Sequence, residues 1–227
     1  MMFITALDLE TAGLSTERAF YTQTLGLPLR HATADSFTVQ AGTTALTFRS
    51  ASQRPVLYHF AFTIPVNKWK QARIWLEART TLLEGEGEDE FENVRVRTRN
   101  YYFPDPAGNI LEFIAREDLP AKVGEDFGPE DVLHISEIGL VVDDVPDVVK
   151  QLKTRLGIEV YRDSSFEDFA QIGDINGVLV LVKQGRLWAP DEQQPAVVSP
   201  VRVTMLGTLA QQVILDPYPY VLEIVPL

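Results

Sequence analysis

The sequence has no cysteine at all among its 227 residues. That excludes a disulfide framework, a thiolate nucleophile and a Cys-ligated zinc centre. Basic residues are also scarce: 20 Lys and Arg stand against 32 Asp and Glu, a formal charge of −12. An acidic balance argues against nucleic acid as a partner, because phosphate neutralisation needs clustered Lys and Arg. Long apolar runs are missing too. The strongest, Gly177–Val182, is far too short to span a bilayer, so no membrane partner is expected. The opening Met1-Met2-Phe3-Ile4-Thr5 lacks the basic leader of a signal peptide, which leads us to expect a cytoplasmic protein. No Gly-x-Ser-x-Gly elbow, phosphate-binding glycine loop or dinucleotide fingerprint occurs. What remains is 45% hydrophobic and 23% charged, an ordinary globular composition suited to a small-molecule ligand.

The chain repeats itself. Leu7, Leu9, Phe20, Leu25 and Gly26 recur as Ile138, Leu140, Gln151, Leu156 and Gly157. Both copies read as an alternating strand, a turn, an amphipathic helix and a Leu-Gly stop, where glycine accepts the left-handed conformation. A second repeat relates Asp105-Pro106-Ala107-Gly108-Asn109-Ile110-Leu111-Glu112 to Asp216-Pro217-Tyr218-Pro219-Tyr220-Val221-Leu222-Glu223 at a shorter offset. The second half has therefore lost residues between the two repeats. Asp-Pro turn chemistry predicts a hairpin in each case, with a last strand that sets a Glu between apolar residues. Leu57–Ile64 alternates as a strand, Val66–Ala78 has helical spacing, and Val94–Phe103 and Asn109–Ala115 are the strands that follow. The expected architecture is α+β: four βαβββ modules, the last too short for its helix. Modules 1–50 and 56–116 would form a first domain at 1–116. An acidic linker follows at 117–131, then a second, degenerate domain at 132–227.

Three motifs make the chain resemble the vicinal oxygen chelate superfamily of glyoxalases, bleomycin-resistance proteins and extradiol dioxygenases. They are Phe20-Tyr21-x-x-x-Leu25-Gly26, His59-Phe60-Ala61-Phe62, and Tyr102-Phe103-x-Asp105-Pro106-x-Gly108-Asn109-x-x-Glu112. The resemblance implies curved sheets that form cups, and a divalent metal held by residues of the modules' first and last strands. His59 and Glu112 match two ligand positions. A third falls on Ala6, which cannot bind metal.

Alternation supplies a substitute. Leu7, Leu9 and Thr11 point one way, so Ala6, Asp8 and Glu10 point the other, and Asp8 or Glu10 becomes the candidate third ligand. One imidazole with two carboxylates suits Fe, Mn or Zn. Glu112 is also the candidate general base. Glu137 and Glu223 stand at corresponding places in the second half and read as relics of a cup without metal. Arg95, Arg97 and Arg99 alternate on one strand, either as a solvated edge or as an anion clamp.

Two functions fit these residues. One is a metalloenzyme acting on adjacent oxygens of a small molecule, as dioxygenase, lyase or isomerase. The other is a metal-free binding or sequestration protein on the same fold. The expected partner is a small molecule only, with the chain as monomer or homodimer.

Overall fold

The structure is a computed structural model. It describes the whole chain except residues 1, 52–54, 125, 209 and 227 and the side chain of Ser165. Met1 of the opening segment and Glu125 of the linker therefore lie outside the described residues.

The first module runs β1 (Ile4–Thr11), α1 (Leu14–Ala19, continued by a π-helical turn at Phe20–Thr24), β2 (Leu29–Ala32), β3 (Ser36–Ala41) and β4 (Thr44–Ser50). The second runs β5 (His59–Ile64), α2 (Trp69–Glu77), β6 (Phe91–Asn93), β7 (Thr98–Pro104) and β8 (Ile110–Arg116). The third is β9 (His134–Val142), α3 (Val145–Leu156), β10 (Val160–Ser165), β11 (Phe169–Asp174) and β12 (Gly177–Lys183). The fourth has strands alone: β13 (Val201–Gly207), β14 (Gln211–Ile214) and β15 (Tyr220–Pro226). Local chemistry explains the boundaries. Asp144 caps α3 by accepting from the Asp147 amide, and Gly157 ends the helix at φ 64°. Gly26 takes φ 66° at the matching stop in module one.

Within each module the first and last strands pair in parallel: β1 with β4, β5 with β8, β9 with β12, and β13 with β15. Between modules, first strands pair antiparallel, and here the structure departs from the expectation of consecutive partners. Module one pairs with module four through β1 and β13, and module two with module three through β5 and β9. The results are a seven-stranded sheet, β14-β15-β13-β1-β4-β3-β2, and an eight-stranded sheet, β10-β11-β12-β9-β5-β8-β7-β6. Strand pairing thus runs across the expected division between 1–116 and 132–227. Internal repeats define units; they carry no information on which unit partners which.

One apolar face of each sheet enters the same main core, which holds Leu7 and Leu9 of β1, Phe60 and Phe62 of β5, Ile138 and Leu140 of β9, and Val203 and Met205 of β13. The remaining faces differ. In the seven-stranded sheet Ala6, Asp8 and Glu10 are only half-buried, whereas every residue of β5, β8 and β9 is buried on both faces.

The eight-stranded sheet curls until its two edges meet. Arg95, in the turn after edge strand β6, donates to the Asp163 carbonyl of edge strand β10 at 2.8 Å. Arg162 of β10 returns a bond to the Val96 carbonyl at 2.9 Å. Arg97, Arg162 and Asp163 all take positive φ at this junction, 55°, 48° and 56°, a conformation that non-glycine residues adopt only when their surroundings hold them there. The expected continuous strand at Val94–Phe103 is therefore broken: residues 94–97 form a turn and β7 begins at Thr98.

A buried acidic cluster ties module one to module two. Asp105, in the turn between β7 and β8, accepts from Tyr21 Oη at 2.8 Å and from the Asn109 amide at 2.9 Å. Glu17 of α1 is fully buried beside it, and among the described residues neither of its oxygens meets a partner in good hydrogen-bond geometry. Burial, then the neighbouring Asp105 charge, push the Glu17 carboxyl up to about 9.

Candidate metal centre

The floor of the curled sheet is built by three central strands. Alternation on β5 sends Phe60 and Phe62 to the core and leaves His59, Ala61 and Thr63 facing the concave side. Register then places the carboxylates: Ala61 sits opposite Glu112 of β8 on one side and Glu137 of β9 on the other. Small Ala61 leaves the space into which both project. His59, Glu112 and Glu137 each offer one ligand atom, all within 4.8 Å of one another.

A β-bulge shapes this corner. Ala61 pairs with Glu137 and Phe62 with Ile135, so Ser136 is the extra residue of β9. Arg116 at the end of β8 uses both: its guanidinium donates to Ser136 Oγ at 2.8 Å and to Glu137 Oε1 at 2.5 Å, and to Thr63 Oγ1 at 3.1 Å. Arg116 is 1% exposed, so this is a buried ion pair rather than a surface one.

His59 Nδ1 lies 3.1 Å from the Ile110 carbonyl oxygen. A carbonyl only accepts, so Nδ1 carries the proton and Nε2 presents its lone pair inward, 3.5 Å from Glu112 Oε2. Burial lowers the imidazole to about 4, which keeps it neutral at physiological pH. Burial, and then the Glu137 charge, hold the Glu112 carboxyl well above its ordinary range, with Arg116 opposing. Burial also raises Glu137, again against Arg116. With both carboxylates ionised and one arginine, the cluster carries one uncompensated buried negative charge. Such a charge needs a proton or a cation. This donor set fits a divalent ion: neutral imidazole, two carboxylates, and, among the described residues, no cation except Arg116 engaged with them.

Above the floor lies a cleft of about 400 Å³, walled by Tyr102, Phe166, Phe169 and Trp188 and rimmed by Arg95 and Arg186. Tyr102 Oη accepts from Asn100 at 3.3 Å, and burial keeps this phenol protonated. Trp188 packs its ring 5.1 Å from the His59 ring. It can do so because residue 139 is glycine: a Cβ there would stand 2.7 Å from the indole. Arg186, Trp188 and Ala189, which follow β12, thus line the site.

Two of the four metal candidates read from the sequence, His59 and Glu112, come together. Asp8 and Glu10 do not join them, because β1 belongs to the other sheet; Asp8 instead pairs with exposed Arg49 at 2.9 Å. Glu137 stands in their place. The sequence does carry its signal, since Glu137 occupies the first-strand position that His59 occupies in module two; assigning it to a separate second cup hides it. Glu223 pairs across from Thr204 in the seven-stranded sheet, and among the described residues no metal-competent group other than His59, Glu112 and Glu137 occurs. Met205 and Tyr220 of module four lie in the main core and Val141 in the cleft-side cluster. The arginine row is split: Arg95 reaches the rim of the cleft, while Arg97 pairs with Glu117 and Asp118 and Arg99 with Glu92. His31 is exposed on β2. His134 is buried against Phe3 and lowered to about 4 by burial and then by Arg116.

No protein-family model matches the chain. No curated protein matches it either. Solved structures do. Over 99% of this chain and 84% of that one, it superposes on a putative dioxygenase from Bacillus subtilis subsp. subtilis str. 168 with a TM-score of 0.60 at 16% identity. Over 100% of this chain and 92% of that one, it superposes on glyoxalase I from Zea mays with a TM-score of 0.58 at 15% identity. Together with the four-module topology, these show that the chain has a glyoxalase-like α+β fold of two curved mixed sheets. At such identities the likeness concerns the fold, and that fold carries several unrelated chemistries.

Proposed function

We propose that the protein is a metal-dependent enzyme that acts on a small molecule with two adjacent oxygens. The observation that carries this reading is the buried His59–Glu112–Glu137 group at the floor of an open cleft. These three residues would hold one Fe, Mn or Zn ion. A bound divalent ion supplies Lewis-acid stabilisation of negative charge developing on a chelated oxygen.

The rest of the work falls to the chain. The Ile110 carbonyl fixes the His59 tautomer, so no reorganisation is needed to present Nε2. Arg116 orients Glu137 by holding Oε1, which makes Glu112 the carboxylate that no arginine among the described residues engages. Proton acceptance from the substrate is therefore assigned to Glu112. Trp188 and Tyr102 flank His59, with rings 5.1 and 6.2 Å away, and restrict water at the floor.

One observation favours the other reading, a metal-free binding protein: Arg116 already neutralises Glu137, so a single proton on Glu112 would complete the charge balance. Elemental analysis separates the two. Metal-stripped protein offered Fe(II), Mn(II) and Zn(II) in turn under nitrogen is expected to retain about one ion per chain, and His59→Ala to retain none. Wild-type protein that emerges without metal in all three cases refutes the enzyme reading.

A further inference from the structure

We propose that the substrate carries, besides its metal-binding oxygens, an anionic group at its far end, and that Arg95 is the residue that selects it. This rests on the metal-centre reading above.

Topology sets the separation. The metal candidates lie on central strands of the eight-stranded sheet, whereas Arg95 follows edge strand β6 and stands on the rim where the two edges meet. Its terminal Nη2 is anchored on the Asp163 carbonyl and its guanidinium lies 6.0 Å from the Phe166 ring centroid, so the side chain is held rather than loose. No carboxylate forms an ion pair with Arg95 among the described residues, although the chain has 32 of them. Its neighbours on the strand and rim, Arg97, Arg99, Arg162 and Arg186, all have acidic partners.

The charge balance of the cleft points the same way. Three arginines line it, Arg95, Arg116 and Arg186, against Glu112 and Glu137. Arg116 is spent on Glu137, a metal would satisfy Glu112, and Arg186 pairs with Asp168 at 3.1 Å. Arg95 is left over, in a protein whose formal charge of −12 would otherwise repel an anion.

A second, independent observation marks the cleft as the seat of a polar ligand. Trp188 and Thr98, 5% and 2% exposed, both line the cleft, and among the described residues neither Trp188 Nε1 nor Thr98 Oγ1 has a hydrogen-bond partner. Buried donors left unpartnered are costly, and a ligand that supplies acceptors removes that cost. The aromatic walls fit a flat ring between the two ends. The class of substrate is thus a ring compound with adjacent oxygens at one end and a carboxylate or similar oxyanion at the other.

The test uses two probes that differ only in that oxyanion, catechol and 3,4-dihydroxybenzoate, titrated calorimetrically into Mn(II)-loaded protein under nitrogen. Wild-type protein is expected to bind the benzoate about tenfold or more tightly than catechol, the strength of one charge-assisted hydrogen-bonded pair. In Arg95→Gln that advantage is expected to vanish while catechol affinity stays the same, which also shows the cleft to be intact. Equal affinities in the wild type, or an advantage that survives Arg95→Gln, overturn the inference and leave the metal-centre reading standing. If neither probe binds metal-loaded protein, the reading of a substrate with adjacent oxygens falls, and this inference falls with it.

Discussion

Glu17→Gln should stabilise the protein, and by an amount that grows with pH. Glu17 is fully buried in α1 next to Asp105, and its carboxyl is pushed up to about 9 by burial and then by that second charge. In the unfolded chain it titrates near the ordinary value of 4.5. Between these two values the folded state holds a proton that the unfolded state has released. Stability therefore falls as pH rises from 4.5 through about 9, and below 4.5 the residue contributes no penalty. At pH 7 the gap is about 2.5 units, an upper bound of about 3.4 kcal/mol at 1.36 kcal/mol per unit. Because Asp105 shares the cluster and its own carboxyl is raised, we expect about 2 kcal/mol. Glutamine keeps the shape, never ionises, and offers an amide N–H to the Asp105 carboxylate. For a chain of this size the gain corresponds to a Tm higher by about 4–8 °C at about pH 7, growing towards about pH 8 and shrinking towards nothing at about pH 4. Thermal melts of both proteins across this range test it. Equal Tm differences at the two ends, or a variant less stable than wild type at about pH 8, would refute the assignment of Glu17 as a buried, protonated acid.

Other perturbations follow from the site. Gly139→Ala drives a methyl to 2.7 Å from the Trp188 indole. It should cost about 1–3 kcal/mol in denaturant melts and change the near-ultraviolet circular dichroism, as overpacking moves the ring off His59. Arg116→Met leaves Glu137 buried without its cation; we expect a loss of about 3–5 kcal/mol in metal-free protein and a larger rise in Tm on adding Mn(II) than the wild type shows. Asp8→Asn breaks only an exposed pair with Arg49 and should change stability by about 0.5 kcal/mol or less in the same melts.

Much of the fold is legible in the sequence because it is written in local chemistry. Leu25-Gly26 and Leu156-Gly157 announce helix ends, and both glycines adopt the left-handed conformation. Alternation correctly separates His59 from Phe60 and Phe62, and Glu112 from its apolar neighbours. Long-range choice is what stays hidden. Alternation puts Asp8 and Glu10 on one face but does not say whether β5 pairs with β1 or with β9, and it is the pairing with β9 that brings Glu137 rather than Asp8 to His59. Nothing local to any strand states that preference; it follows from how whole modules pack across the main core. The bulge at Ser136 is invisible for the same reason, since an extra residue shows only against a partner's register. Arg95 and Trp188 lie outside regular strands, where periodicity gives no guide to direction, so their place in the cleft emerges only in three dimensions.

The central claim is that His59, Glu112 and Glu137 form one metal site drawn from modules two and three. Titration of Mn(II), with the free ion followed by electron paramagnetic resonance, tests it directly on wild type, Glu137→Gln and the double variant Asp8→Asn/Glu10→Gln. The account predicts about one ion bound per chain in the wild type, the same in the Asp8/Glu10 variant, and binding lost in Glu137→Gln. Binding that survives Glu137→Gln and disappears from the Asp8/Glu10 variant would contradict it.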